Sequence, residues 1–389
     1  MARDYLSRRV HELKPSGIRK FFDIAASMQD VISLGIGEPD FDTPQAIIEA
    51  GVRALRAGKT HYTSNHGLLA LREAIASQLE HLYGVHYDPQ SEILVTVGCS
   101  EALYLAANAL LEPGDAVLMP TPCFVSYQAE VFLAGGVAIE VPLRMQENFD
   151  LNLKDLQAAI TPTTKAVLIN FPNNPTGAVA SRARLLELAQ LAEQHDMLVI
   201  SDEIYDRLVY GVQHTCFAAL PGMRERTVLI GGFSKDYAMT GWRIGFAAAP
   251  KPILDGLVKI HQYTVMSAPT VSQYAAIEAI SNSEQAVEEM RAQYDQRRKL
   301  IVEGLNQIGL PTVEPRGAFY AFAQVAGTGL DDEQFAKRLL ESKKVAVVPG
   351  SAFGKGGEGF VRCSYAAGID KIEEALERMQ QFVQEITRG

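Results

Sequence analysis

A lysine can be a surface charge or a nucleophile, and its neighbours decide which. Lys235 comes after the apolar run 227–231 and before Ala238-Met-Thr-Gly-Trp-Arg-Ile-Gly245, which holds the only tryptophan. A lone lysine in a loop is ordinarily a solvated charge. Between a buried strand and such a stretch, partial burial lowers its pKa and frees the amine to attack a carbonyl. Asp202 and Tyr205 follow a second apolar run, 197–201. There a carboxylate can keep a ring nitrogen protonated and a phenol can donate to a ring oxygen; alternatively, Asp202 caps a helix and Tyr205 fills the core. Ser100, with the backbone N–H groups of Glu101 and Ala102, stands where a helix pattern starts, a ready site for an anion. Arg243 can grip a phosphate through two parallel bonds. A plain cap and a salt-bridge partner are the other readings of these two. As a set, these residue types suit pyridoxal phosphate, which needs a lysine anchor, an acid at its ring nitrogen and a seat for its phosphate.

These residues stand at the ends of short apolar runs, at 92–97, 115–119, 137–141, 165–170, 197–201, 227–231 and 243–248. Most have no wet face, and helical patterns such as 67–83, 100–111 and 181–195 separate several of them. Strands buried on both sides and joined by helical crossovers predict an α/β fold: a three-layer α/β/α large domain around a mostly parallel seven-stranded sheet. Open sheets of this kind bind ligands beyond the carboxyl ends of their strands. After about residue 284 a long charged helix leads into shorter strands and a final helix at 370–387, which predicts a smaller α+β domain. We expect 41–283 to form the large domain, and 1–40 with 284–389 the small one. Two glycine patterns mislead. Gly58-Lys-Thr60 lacks the first glycine of a P-loop, since that position is Arg53. The G-x-G-x-x-G at 354–359 runs into a strand pattern, where a dinucleotide site needs a helix.

The chain has 389 residues, 47% hydrophobic and 21% charged, which excludes general disorder. Lys and Arg number 36 against 46 Asp and Glu, a net charge of −10 that repels nucleic acid but not a small anion held by a local cluster of cations. Cys99, Cys123, Cys216 and Cys363 are far apart and form no C-x-x-C pair, so neither a disulfide scaffold nor a metal site is expected. No apolar run follows the charged N-terminus and none reaches membrane-spanning length; a soluble cytoplasmic protein is expected.

Five segments carry a family resemblance: Ser33-Leu-Gly-Ile-Gly-Glu-Pro-Asp-Phe41, Pro172-Asn-Asn-Pro-Thr-Gly177, Ser201-Asp-Glu-Ile-Tyr205, Phe233-Ser-Lys-Asp-Tyr-Ala-Met-Thr-Gly-Trp-Arg-Ile-Gly245 and Val361-Arg-Cys-Ser-Tyr365. With them the whole chain resembles the fold-type-I pyridoxal-phosphate aminotransferases of the class I/II, or aspartate aminotransferase, superfamily. The resemblance implies that Lys235 carries the cofactor, Asp202 meets its ring nitrogen, and Tyr205 and Asn174 donate to its ring oxygen. It implies Phe124 stacked on the ring, and Ser100, Glu101, Ala102, Ser234 and Arg243 around the phosphate. Arg362, with the Gly37 backbone, would hold the substrate α-carboxylate. Tyr62 would reach the phosphate of a second subunit, which implies a homodimer. Many relatives carry a hydroxyl three residues before the lysine; here that residue is Gly232.

The implied activity is transfer of an amino group from an L-amino acid to 2-oxoglutarate in a ping-pong cycle, with the freed Lys235 amine moving the proton at Cα. Ser100 replaces a lysine found in some acid-specific bacterial aspartate aminotransferases, and Ile18 falls in a segment expected to line the site. Ser16-Gly-Ile-Arg-Lys-Phe21 and Val347-Val-Pro-Gly-Ser-Ala-Phe-Gly354 look most like aromatic aminotransferases of archaea and related bacterial enzymes. An aromatic or broad donor range is therefore expected. Aspartate or N-acetyl-diaminopimelate as donor is the nearest alternative. A β-lyase, or a cofactor-binding regulator, stands further off, the regulator because no basic DNA-binding extension is present.

Overall fold

The computed structural model describes residues 4–13 and 28–388. In chain order the strands begin with β1 (Ile32–Ser33), β2 (Ile93–Thr96), β3 (Ala116–Thr121), β4 (Val137–Pro142), β5 (Thr164–Asn170) and β6 (Leu198–Asp202). They continue with β7 (Thr227–Gly232), β8 (Gly245–Ala248), β9 (Tyr320–Gln324), β10 (Val345–Ala346), β11 (Val348–Pro349) and β12 (Phe360–Ser364). Strands β2 to β8 form one sheet in the order β2-β8-β7-β6-β5-β3-β4. All pairs are parallel except those made by β8, which runs against both β2 and β7. The expected seven-stranded, mostly parallel sheet is therefore present.

Its central strands are apolar on both sides because helices cover both faces. On one side Gly98–Leu110 and Lys251–Thr264 pack Leu105 and Leu254 over Val117, Ile230 and Ala247. On the other, Arg182–Gln194 sets Leu188 and Leu191 against Val167 and Val199, and Leu69–Tyr83 sets Ile75 and Leu79 against Val95 and Phe246.

A separate apolar core gathers the helices Glu284–Gln307, Asp332–Lys343 and Ile369–Arg388 through Tyr294, Ile301, Phe335, Leu339, Ile372 and Phe382. It rests on an antiparallel sheet of order β11-β12-β9. Ile32 and Leu34 belong to the same core, and β1 pairs in parallel with β10, Ile32 opposite Val345. Tyr205 and Leu208 also reach into it, so the turn after β6 joins the two cores.

Two local expectations are corrected. The helix expected to open at Ser100 starts at Gly98, with Val97 as its cap. Gly98 takes φ +69°, which turns the chain sharply out of β2, and the Glu101 carboxylate, not the Ser100 hydroxyl, satisfies the Val97 N–H at 2.6 Å. Asp202 caps no helix: it is the last residue of β6, and turns follow it.

Candidate active site

The parallel strands β5, β6 and β7 end at one edge, with Asn170 level with Asp202 in the ladder. A cavity of about 940 Å³ opens there. Among the groups lining it are Lys235, Asp202, Tyr205, Asn174, Phe124, Ser100, Ser234, Arg243, Gly37 and Arg362. Ten of the sequence-expected residues, far apart in the chain, thus share one space.

The Lys235 ammonium donates to the Gly37 carbonyl at 2.7 Å. Lys235 keeps a surface on the cavity, but burial of its surroundings pushes its pKa down to about 8, while the Glu38 carboxylate opposes the shift. The amine is then neutral in part at mildly alkaline pH, as a nucleophile must be.

Asp202 is buried, and loss of hydration pushes its pKa up to about 6. Two donors work in the opposite sense: the Tyr127 hydroxyl at 2.8 Å from Oδ2, and the Ile204 N–H at 3.2 Å from Oδ1. At neutral pH the carboxylate remains ionised and aimed at the cavity, and a protonated ring nitrogen would complete its pairing. Asn170 fixes its backbone, donating to the Asp202 carbonyl at 2.8 Å and accepting the Asn174 N–H at 3.0 Å.

Arg243 lies against the start of the helix Gly98–Leu110. A Cβ on Gly98 would stand 2.8 Å from its Nη2, so the close approach needs a glycine. With Ser100, Ser234 and the helix N-terminus it makes a place where an anion is favoured. Glu101 and Ala102 do not line the cavity; the Glu101 side chain turns away to cap its own helix and meet Nδ1 of the buried His261 at 2.7 Å. At Gly232 a Cβ would come 2.8 Å from Cys99 Sγ and 3.0 Å from Ile204 Cδ1. The place of the missing hydroxyl is filled by packing.

At the far end Arg362 is buried. It donates to Asn174 Oδ1 at 2.7 Å and to the Gly35 carbonyl at 2.6 Å, while its Nε has no protein partner. A carboxylate is the acceptor that geometry suits.

Sequence reasoning missed two residues. Neither Tyr127, three residues after Phe124, nor Tyr320 is among the residues expected above. Tyr320 lines the cavity, bonds the Tyr205 hydroxyl at 2.7 Å and covers the Arg362 guanidinium with its ring. An aromatic opening a strand is most often core, so no signal in the sequence marked it. Besides Glu101 and Ala102, a third expected residue is not brought in. Tyr62 is 81% exposed and lies outside the cavity, in a shallow depression with Lys59, His61 and residues 267–271. Ile18 and the segment Ser16–Phe21 lie outside the described residues.

The arrangement joins an anion seat, a buried carboxylate, phenol and amide donors, an amine and a carboxylate fork. A flat anionic pyridine aldehyde fits such a set, with room beside it for an amino acid. Among the described residues, no group of three or more His, Cys, Asp or Glu could hold a metal ion, and no helix is long and apolar enough to cross a membrane.

Comparison with known proteins agrees with the geometry. A model of the family Aminotransferase class I and II matches residues 29–379. An aspartate aminotransferase of Pyrococcus abyssi is 51% identical, covering 98% of both chains. Aromatic-amino-acid aminotransferase 2 of Thermococcus litoralis is 47% identical, again over 98% of each. The crystal structure of an aromatic aminotransferase from Pyrococcus horikoshii is 49% identical, with a TM-score of 0.91 over 95% of this chain and 99% of that one.

Proposed function

The chain belongs to the class I and II aminotransferases, enzymes that use pyridoxal 5'-phosphate, and from that premise we propose that its amino donors are chiefly aromatic, with 2-oxoglutarate as acceptor. The cofactor supplies a carbonyl carbon that takes up the amino group and a ring that draws electrons from Cα.

The chain's own residues do the rest. Lys235 anchors the cofactor and, once displaced, moves the proton at Cα, for which an amine near neutrality is suited. Asp202, held by Tyr127, keeps the ring nitrogen protonated. Tyr205 and Asn174 would donate to the ring oxygen, and Phe124 would offer its ring for stacking. Ser100, Ser234 and Arg243 would take the phosphate, joined by the free backbone N–H groups of the first helical turn at Gly98, Cys99 and Ser100, and not those of Glu101 and Ala102. Arg362 and the Gly37 backbone would hold the α-carboxylate and so orient the Cα–H bond for proton transfer.

The observation that carries the aromatic reading is the cation inventory of the cavity. Its cations among the described residues are Lys235, Arg243 and Arg362, and each has a role at the cofactor or the α-carboxylate. The remaining wall offers Ile36, Leu103, Val31 and the carboxylates of Asp30 and Glu38, which favour a ring over a second negative charge in the donor, while the unpartnered Ser33 hydroxyl is a group left for the far carboxylate of 2-oxoglutarate. The names of the Thermococcus and Pyrococcus horikoshii relatives point the same way. Measuring kcat/KM for tyrosine, phenylalanine, aspartate and N-acetyl-diaminopimelate tests it. An aromatic donor should lead, and a lead of more than about tenfold by aspartate or the acylated diamine would replace this reading.

The homodimer belongs to the same proposal. Tyr62, Tyr263, Val265 and Met266 are exposed, and the Asn65 side chain bonds the Met266 carbonyl at 3.0 Å, so they neighbour one another. This exposed patch is where a second copy would pack, with Tyr62 in the role that the family resemblance implies for it, at the phosphate seat of the partner. We also assign residues 41–283 to a cofactor-binding unit and 1–40 with 284–389 to a smaller one. A cytoplasmic location suits the four free thiols.

A further inference from the structure

Tyr320 meets Tyr205, Arg362 and Gly37 at the far end of the cavity. Its hydroxyl meets the Tyr205 hydroxyl at 2.7 Å, with the two rings edge to face at 5.8 Å between centroids. Its ring lies 4.5 Å from the Arg362 guanidinium carbon. The strands explain that contact. Arg362 pairs with Phe322 and Ser364 with Tyr320, so Arg362 and Tyr320 are diagonal neighbours on one face of an antiparallel pair. Its hydroxyl also fills the space where a side chain on residue 37 would sit, which keeps that residue a glycine beside the carbonyl that accepts from Lys235. Tyr320 is 1% exposed and, beyond this, carries no charge or proton that the transfer itself requires.

A hydroxyl has one proton to donate and two lone pairs to accept with. When Tyr205 donates to the ring oxygen of the cofactor, its own oxygen can only accept, and Tyr320 is the donor in reach. A hydrogen bond received in this way strengthens the one given, since each polarises the next. Burial raises the Tyr320 pKa, so the hydroxyl keeps its proton across the working range. The same side chain, through its ring, holds the buried guanidinium of Arg362 by a cation–π contact.

We propose that Tyr320 is a positioning residue with two separable actions: its hydroxyl sharpens the donation of Tyr205 to the cofactor, and its ring orients Arg362 for the substrate carboxylate. This rests on the reading of Tyr205 as the ring-oxygen donor and of Arg362 as the carboxylate fork.

Two variants separate the actions. Tyr320→Phe removes the hydroxyl and leaves the ring; Tyr320→Leu removes both. The first readout is the pH midpoint at which the visible absorbance of the bound cofactor changes, measured without substrate. A donor at the ring oxygen draws charge away from the adjoining link to Lys235, so weakening it moves the midpoint upward. Tyr205→Phe should give the larger shift. Tyr320→Phe should shift in the same direction by about twofold to threefold in the underlying equilibrium, and the double variant should shift no further than Tyr205→Phe alone. The second readout is KM for the amino donor, with kcat alongside. Tyr320→Phe should leave KM within about twofold, and Tyr320→Leu should raise it about threefold to thirtyfold, more than it lowers kcat.

If Tyr205→Phe leaves the midpoint where it is, the reading of Tyr205 fails and the hydroxyl action falls with it. If Tyr205→Phe shifts the midpoint and Tyr320→Phe does not, only the present proposal is overturned. Equal KM values in the phenylalanine and leucine variants overturn the ring action, provided Arg362→Lys does raise KM. The phenylalanine variant is close to isosteric and keeps the question open to test should the leucine variant fold poorly.

Discussion

At one end of the cavity, Asn170, Asp202 and Gly232 close adjacent parallel strands, so backbone ladders set their spacing. At the other, Arg362 comes from an antiparallel sheet, Gly35 and Gly37 from the chain beside β1, and Asn174 from the turn after β5, with side-chain bonds tying them across up to 327 positions. Rigid ladders hold the groups that would run the chemistry. Long-range polar bonds, which a substrate carboxylate can exchange, hold those that would bind. A substitution at the sheet end should therefore act mainly on kcat, and one at the far end on KM.

Lys235→Met should have the largest effect at the sheet end: turnover falls about a thousandfold or more, since both the anchor and the proton carrier are gone. The same change should stabilise the cofactor-free protein. The folded pKa of Lys235, about 8, lies below its ordinary value of 10.5. Keeping the amine charged in the fold therefore costs stability, fully so below pH 8. That cost shrinks between about pH 8 and 10.5 and is absent above. Thermal melts of the cofactor-free proteins should show the variant more stable at pH 7, by a few kcal/mol at most, and the gap closing towards pH 10.5. A variant less stable at pH 7 would contradict it.

Arg362→Lys is the counterpart at the far end. It keeps the charge and loses the fork, leaving Asn174 or Gly35 without its donor. KM for the amino donor should rise about tenfold to a hundredfold with a smaller fall in kcat. A fall confined to kcat would remove the distinction between the two ends.

The smallest effect should come from Tyr127→Phe, which keeps the ring and removes one donor from Asp202. That donor holds the Asp202 pKa down against burial. Without it the carboxyl titrates above about 6, and the acid limb of the kcat profile should move to higher pH, while the plateau changes less than about threefold. Asp202→Asn, with no charge to place, should instead lower the plateau at least about tenfold. An unmoved acid limb in the Tyr127 variant would mean that Asp202 does not govern it.

What could be read in the sequence follows from how locally each feature is set. Strands buried on both faces show as continuous apolar runs, and all seven expected strands of the large sheet formed, the edge strand β4 with less burial than the others, because an apolar run is a property of a few adjacent residues. Lys235, Asp202 and Ser234 were legible because each follows such a run, and a strand end in this fold is a place at the site; Arg243 was legible because it opens the next run, eight residues after Lys235. The helix start at Gly98 was misread by two residues, since its cap is a carboxylate from the next turn and not the hydroxyl that local pattern favours.

The tertiary structure alone decided the rest. Tyr127 and Tyr320 look like core aromatics along the chain, and only the fold brings their hydroxyls to Asp202 and Tyr205, 75 and 115 positions away. The packing of Cys99 and Ile204 against Gly232 also comes from three separate segments. The pKa values of Lys235 and Asp202 have the same origin. A residue type fixes which proton can move, but the hydration lost around it and the partners gained depend on chain segments that meet only when the molecule has folded.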